Sequence, residues 1–324
     1  MFSIVIPLFN KEKHIQDTLD CVFKQTFNQY EIIVVDDGST DNSVKKVLQF
    51  KNTIIRLIKK ENGGSASARN TGIEHAKFQY IAFLDADDFW DPEYLAEQNK
   101  LIRDFPDAAM WGHSYGRVLN GKKILVEHGL PNDFRGIVEN YFALKRKTDF
   151  FHTSSIVIPK SVFEKIGYFD TRIKGTEDTE MWFRIISMLP VAFCNKTYGY
   201  HNIDADNRIM LIRPALKEHI SCYIGKLNNI KSEDDAYFKF INEYAAVKLL
   251  YYYFDSRADR ILAKKIIHDL DFTKIKYKYL LMFKLPYFMG FFIHKLIRLK
   301  KWIFSSNCRK LSRMDRNIEG TPLH

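Results

Sequence analysis

The chain has 324 residues and a formal net charge of +10, so it is longer than an ordinary single domain and has ample length for a core; one large domain with an extension, or two domains, is expected. Cys21, Cys194, Cys222 and Cys308 lie far apart with no C-x-x-C pair, which argues against a disulfide framework or a structural zinc site and favours a reducing cytoplasm. Met1 leads straight into an apolar stretch with no basic residues before it, so the start reads as a first strand and not as a signal peptide, and export is not expected.

The first strand ends at Pro7. Ile15, Leu19, Val22 and Phe23 then fall at i, i+4, i+7 and i+8, one apolar face of a helix. A second, β-branched strand over 31–35 is followed by Asp36-Asp37-Gly38-Ser39-Thr40-Asp41 and a helix carrying Val44, Val47 and Leu48. Residues 54–58 give a third strand, 65–76 a third helix and 80–84 a fourth strand. This β-α alternation predicts a parallel sheet with right-handed crossovers. After a helix that begins near Pro92, residues 118–126 read as a hairpin, because Asn120-Gly121 suits a type I′ turn, so the sheet becomes mixed. Gly175-Thr176-Glu177-Asp178 opens a helix with Trp182, Ile185 and Ile186 facing inward, and a strand-like segment at 191–193 follows. From about Ile209 glycine and proline thin out and aromatic and basic residues dominate in long helical periods. A boundary there divides residues 1–208 from a helical extension, 209–324.

Between Asp271 and Arg313 eleven basic residues face one acid, which equals the whole +10 excess. They are interleaved with Tyr277, Leu281, Phe288, Phe292, Trp302 and Phe304, among others. The longest charge-free run, 285–294, is shorter than the roughly 20 residues a bilayer span needs. A basic amphipathic segment lying in an anionic headgroup layer fits this composition, and a helical subdomain with a solvated basic face is the alternative. No recognised motif accompanies the charge, so nucleic acid is not expected as a partner.

The sequence contains neither G-x-G-x-x-G after its first strand nor a P-loop, so nucleotide binding would need another scheme. Polar clusters nonetheless fall at the carboxyl ends of three strands: Asn10 after the first, Asp36-Asp37 after the second and Asp85-Ala86-Asp87-Asp88 after the fourth. In a parallel sheet those ends share one edge and converge on a crevice. Two aspartates one residue apart suit Mg²⁺ or Mn²⁺ held against a diphosphate, because these ions take few protein carboxylates and complete their shell with phosphate and water. Taken singly, each cluster also reads as ordinary structure: a turn at Asp37, an acid-rich helix start after Asp88.

Val5-Ile6-Pro7-Leu8-Phe9-Asn10, Gln25-Thr26-Phe27, Val35-Asp36-Asp37-Gly38-Ser39-Thr40-Asp41, Asn62-Gly63-Gly64 with Ala68-Arg69-Asn70-Thr71-Gly72, and Asp85-Ala86-Asp87-Asp88 occur in this order and spacing. Over roughly residues 1–205 the chain resembles the family 2 inverting glycosyltransferases of the A-type fold, an α/β architecture with a mixed sheet flanked by helices. The resemblance implies a nucleotide-sugar donor, most often a UDP-sugar, and a divalent cation, Mn²⁺ or Mg²⁺. It implies donor binding in residues 1–105 and acceptor binding plus the base in 106–208. Pro7, Phe9 and Asn10 would line the nucleotide pocket and Asp37 would contact the uracil. Asn62 and Arg69 would lie on the base and phosphate side, with Ala86 beside them; for Arg69 a solvated helix position is the alternative. Asp85 would meet the ribose or the metal's water shell, and Asp87 would ligate the metal.

In the resembling family a Glu-Asp pair follows a G-x-F/Y-D segment, here Gly167-Tyr168-Phe169-Asp170, and its aspartate is the general base. That makes Asp178 the expected base, with Glu177 orienting it or the acceptor. His201 matches a histidine near the diphosphate or metal, and a structural role fits it equally. His152-Thr153-Ser154-Ser155 could face the acceptor or be a strand-edge polar run; His113 reads as structural. The implied acceptor is a glycan or lipid-linked hydroxyl, in cell-surface polysaccharide or lipopolysaccharide synthesis at the cytoplasmic leaflet. A nucleotidyltransferase would join the same parts but needs a glycine-rich phosphate loop that Pro7-Leu8-Phe9-Asn10 does not supply. A scaffold without turnover would have little reason to carry Asp85, Asp87 and Asp178 together.

Overall fold

A computed structural model describes residues 1–145, 150–206, 214–255, 257–293 and 295–296. Four strands, β1 (Phe2–Leu8), β2 (Tyr30–Asp36), β3 (Ile55–Lys59) and β4 (Tyr80–Phe83), alternate with the helices α1 (Ile15–Phe23), α2 (Ser43–Gln49) and α3 (Ser65–His75). Next come β5 (Phe89–Trp90), α4 (Tyr94–Asp104), the hairpin β6 (Met110–Leu119) and β7 (Lys122–Leu125), β8 (Arg135–Ile137) and α5 (Tyr141–Lys145). β9 (Ile156–Pro159), α6 (Lys160–Ile166), α7 (Glu177–Ile186) and β10 (Val191–Asn202) complete the sheet-bearing part. Helices α8 (Ile224–Asn228), α9 (Asp235–Asp255), α10 (Arg257–Ile266) and α11 (Tyr277–Lys284) follow, and residues 287–293 form a further helical segment.

The strands form one ten-stranded sheet in the order β3-β2-β1-β4-β9-β6-β10-β5, with β7 beside β6 and β8 beside β10. β1 runs parallel to both β2 and β4, pairing Leu8 with Asp36 and Val5 with Phe83, so the three ends expected to converge do share one edge. β9 is antiparallel to β4 and to β6, which makes the sheet mixed in its middle as well as at the hairpin. Asn120 and Gly121 both have positive φ, 51° and 70°, as a type I′ turn requires. The strands β5 and β8 escape sequence reading because two or three residues carry no periodicity, and β9 because its four apolar residues do not distinguish a strand from a helix turn.

Period-two alternation divides the core. Ile4, Ile6, Ile32 and Val34 point to one face with Leu19, Val22, Leu95 and Leu101. Val5, Ile33, Val35 and Phe83 point to the other with Ala68, Ile73, Phe183, Tyr237 and Leu249. α3 lies close on β1 because Gly72 faces Val5, where a β-carbon would overlap the valine methyls. The helices from α8 onward belong to the second core cluster, so they pack on the same sheet face as α3 and α7. The boundary expected at Ile209 and the tail from Ile297, including Trp302 and Phe304, lie outside the described residues.

Candidate active site

Apolar, β-branched strands end where polar loops begin, and at the carboxyl edge of β1, β2 and β4 those loops enclose a cavity of about 490 Å³. Its lining joins Pro7 at the end of β1 and Phe9 just after it, Asp37 from the β2 loop, Asn62 before α3 and Arg69 within it, and Asp85, Ala86 and Asp87 after β4. His152, Glu177, Asp178 and His201 close the other side. Of the residues singled out from sequence as possible ligand contacts, Asn10, Ser154 and Ser155 do not reach the cavity wall and the others do. The Asn10 amide oxygen accepts from Thr40 N (2.8 Å) and its backbone N–H donates to Ser39 Oγ (3.1 Å), so it ties the β1 loop to the β2 loop.

Asp37 is buried and already held. Its carboxylate accepts from Lys60 Nζ (2.7 Å), Gly63 N (2.9 Å) and Gly64 N (2.7 Å), while its carbonyl accepts from Asn62 Nδ2 (2.9 Å). Gly64 has φ 86°, a conformation that suits glycine and turns the chain into α3 so that both amides face the carboxylate. Asp37 therefore shapes the Asn62-Gly63-Gly64 loop beside the cavity.

The three aspartates after β4 have separate environments. Asp85 accepts from Arg69 Nη2 (2.8 Å), and Asp87 from Lys11 Nζ (2.7 Å). Asp88 is fully buried, accepting from Ser154 Oγ (2.6 Å) and from Asn202 N (3.0 Å). Ser154 Oγ also accepts from Asp85 N (3.1 Å), so one hydroxyl fixes the loop at both ends. Burial pushes the Asp88 carboxyl up to about 8. Burial works against Asp85 ionising too, but Arg69, His152 and His201 outweigh it and hold that carboxyl below its ordinary range.

Thr153–Ser155 form a buried 3₁₀ turn entered from His152 and leading directly into β9. The turn can approach β10 because Gly199 carries no side chain; a β-carbon there would lie 3.1 Å from Ser154 O. It brings the His152 ring onto that of His201, with centroids 4.4 Å apart. Burial lowers the pKa of both imidazoles, which favours neutral rings with lone pairs available to a cation. Asp85, Asp88 and His152 each present a ligand atom within 4.8 Å of the others. The carboxylates of Asp85 and Asp87 and two neutral imidazoles at one cavity end, with the buried Asp88 carboxyl behind them, are a donor set that fits Mg²⁺ or Mn²⁺, the nitrogen favouring Mn²⁺. His113, by contrast, is fully buried in β6 with neither ring nitrogen hydrogen-bonded among the described residues, and burial takes its pKa down to about 3, in keeping with a structural role.

Arg69 is buried, which corrects the solvated-helix alternative. It donates to Asp85 and, at 3.3 Å, to Glu177 Oε1, and Ser65 Oγ donates to the same oxygen. The other Glu177 oxygen is buried with no partner among the described residues. Next to Arg69, Asn70 exchanges two hydrogen bonds with the backbone of Phe169 (2.9 and 3.0 Å), anchoring the segment that leads into α7. Acids in the first turn of α7 suit its dipole, and Asp178 Oδ2 accepts from Thr153 Oγ1 (3.3 Å) while facing the cavity. Two functional placements are not legible in the sequence. The run from His152 to Ser155 reads equally as an acceptor contact or a strand-edge segment, and nothing in it points to the acids. Lys11 carried a signal, since it directly follows Asn10 at the acid-lined edge.

The chain matches the family model described as glycosyl transferase family 2 over residues 3–167. It is 27% identical over 281 residues to an uncharacterized glycosyltransferase of Rickettsia felis, covering 83% of this chain and 46% of that protein. The chain thus spans less than half of that relative. It is 36% identical over 132 residues to the Escherichia coli UDP-Glc:alpha-D-GlcNAc-diphosphoundecaprenol beta-1,3-glucosyltransferase WfgD, covering 40% of this chain and 51% of WfgD. Among solved structures, Staphylococcus aureus TarS 1-349 in complex with UDP-GlcNAc superposes with a TM-score of 0.67 at 18% identity, covering 83% of this chain and 80% of that one. That likeness establishes the A-type glycosyltransferase fold.

Proposed function

The chain belongs to glycosyl transferase family 2, and on that premise we propose that it moves a sugar, with inversion, from a UDP-sugar to a hydroxyl of a glycan or lipid-linked acceptor. The observation that carries this reading is the single cavity that joins the β1, β2 and β4 loops to Asp178 at the start of α7. WfgD is named for a UDP-sugar donor and a diphosphate-lipid acceptor, and TarS holds UDP-GlcNAc, which supports the same donor class here.

In the proposed reaction the nucleotide lies along Pro7, Phe9, Asp37 and Asn62, and the diphosphate points toward Asp85 and Asp87. An acceptor hydroxyl has a pKa far above neutrality, so Asp178 takes its proton as the oxygen attacks the anomeric carbon from the face opposite the nucleotide. One displacement inverts that centre. Glu177 is the proposed orienting group, because it lines the cavity beside Asp178 and its second carboxylate oxygen has no partner among the described residues. Asp87 and His201 are the proposed ligands of a divalent cation, with Asp85 and His152 beside them in the cavity wall and Asp88 buried behind. When bound, the cation supplies Lewis-acid stabilisation of the charge that develops on the leaving diphosphate.

We assign the acceptor to cell-surface polysaccharide or lipopolysaccharide synthesis and place the protein at the cytoplasmic face of the plasma membrane. Among the described residues no helix is long and apolar enough to cross a membrane. The C-terminal helices supply a surface instead. Tyr287 and Phe291 pack against the core, whereas Phe288 and Phe292, one helical turn apart, are 70% and 65% exposed. An outward apolar stripe beside Lys284 and Lys295 suits an anionic lipid surface.

Calorimetric titration of UDP with Mn²⁺ and then with EDTA, on wild type and Asp87→Asn, tests the donor site. Binding that needs Mn²⁺ and is lost in the variant is the expected result. No UDP binding under either condition would remove the UDP-sugar reading.

A further inference from the structure

Lys11 sits in the mouth of the site with an ammonium group that already serves as a cation there. Its Nζ donates to Asp87 Oδ2 (2.7 Å) and to the carbonyl of Asp206 (2.8 Å). Its side chain is only 12% exposed and that of Asp87 13%, so the pair is largely withdrawn from water. The backbone at Lys11 is fixed by a hydrogen bond from its N–H to Ser43 Oγ (2.8 Å). Lys11 and Asp87 line the same cavity as Asp85 and His201.

A carboxylate oxygen bound by an ammonium group cannot accept a divalent cation at the same point without bringing like charges within a few ångströms of each other in a site of reduced dielectric. One of the two must leave. The lysine can, because its charge is a compact point on a flexible four-carbon stem, while its backbone stays anchored through Ser43. Its departure also leaves Asp206 in place, since that carboxylate is held independently by Lys13 Nζ (2.7 Å) and His14 Nε2 (3.1 Å). The displaced ammonium then remains in a cavity into which a diphosphate brings several negative charges.

We propose that Lys11 is a resident counterion of Asp87 that an incoming divalent cation displaces, and that the freed ammonium then pairs with the diphosphate of the donor. The inference rests on the donor reading above. In this arrangement Lys11 weakens binding of the cation alone and strengthens binding of cation and diphosphate together. Cation and donor are thereby coupled, because the first to arrive releases the group that receives the second.

The test titrates Mn²⁺ alone, followed by the electron-paramagnetic signal of the free ion, into wild type, Lys11→Met and Lys11→Arg, then UDP into each protein saturated with Mn²⁺. Lys11→Met is expected to bind Mn²⁺ alone about tenfold more tightly than wild type and to bind UDP with Mn²⁺ at least about fivefold more weakly. Lys11→Arg, which keeps the charge, is expected to follow wild type in the first titration, and it keeps the comparison open should the methionine variant be poorly folded, because a tighter Mn²⁺ affinity for it would contradict the proposal. Unchanged or weaker Mn²⁺ affinity in Lys11→Met overturns the displacement. Equal UDP affinities for wild type and Lys11→Met overturn the second step alone. If no protein binds UDP, the donor reading falls with that step, while the Mn²⁺ comparison still decides whether Lys11 and the cation compete.

Discussion

The rings of His152 and His201 lie stacked 4.4 Å apart, although 49 positions separate them in the chain. The contact joins the 3₁₀ turn before β9 to the end of β10. Those two elements also supply Ser154 Oγ and Asn202 N to Asp88. The acidic loop after β4 is thus clamped from two sides by polar groups that only the completed sheet brings near it.

Asp178 is expected to remove the acceptor's proton and not to bind the nucleotide. Asp178→Asn should lower kcat by about 10²- to 10⁴-fold, the usual contribution of a general base. UDP affinity in the presence of Mn²⁺ should stay at the wild-type value. The comparison uses whichever UDP-sugar the wild type turns over, and an unchanged kcat would remove Asp178 from the mechanism.

Arg69 neutralises Asp85 and Glu177 at once in a buried position. Burial opposes its charge, but the two carboxylates outweigh that and raise its pKa, so it remains a cation. Arg69→Met leaves both acids without their partner and should cost about 3–5 kcal/mol in urea unfolding, the range for one half of a buried ion pair. Adding Glu177→Gln should recover part of that loss, since the residues are in contact. Full additivity of the two substitutions would show that they are not coupled.

Stability should depend on the ionisation of Asp88. Its folded pKa of about 8 lies well above the ordinary value of about 3.9. Between those values the folded protein keeps a proton that the unfolded chain has released, so this group's contribution is complete below about pH 4 and is lost as the pH rises through 8. The lowered pKa values of His152 and His201 act in the opposite sense, removing stability as the pH falls below about 6.5. Unfolding free energies from urea titrations in EDTA should therefore fall between about pH 7 and pH 9 by an amount on the order of 1–3 kcal/mol for wild type and stay flatter for Asp88→Asn. Parallel pH profiles for the two proteins would refute the assignment.

The outward stripe of the helical segment 287–293 should be a membrane contact. Inserting a phenylalanine into an apolar layer is worth about 1.5–3 kcal/mol, and each nearby basic residue adds about 1 kcal/mol at an anionic surface. Phe288→Ser with Phe292→Ser should reduce cosedimentation with phosphatidylglycerol-containing vesicles at least about tenfold while leaving UDP affinity intact. Retention of vesicle binding by the double variant would assign these side chains to another role.

The sequence by itself determined the parallel half of the sheet, its three helices, the hairpin at Asn120-Gly121 and the edge where the polar clusters converge. These follow from local periodicity: strand and helix repeats, and a turn whose residues tolerate positive φ, are visible within a dozen residues. The short strands β5 and β8 lacked that periodicity and became strands only by pairing with β10. The aspartate spacing marked an acidic site, but which charge meets which was decided by the tertiary structure. Arg69 reaches Asp85 across 16 residues, Lys11 reaches Asp87 across 76, and Ser154 reaches Asp88 across 66. Electrostatic partnership depends on distance in space and on burial, and neither has a period in the chain. Asn10 illustrates the same limit: its position at the edge was legible, whereas its inward turn toward Ser39 and Thr40 required the neighbouring loop.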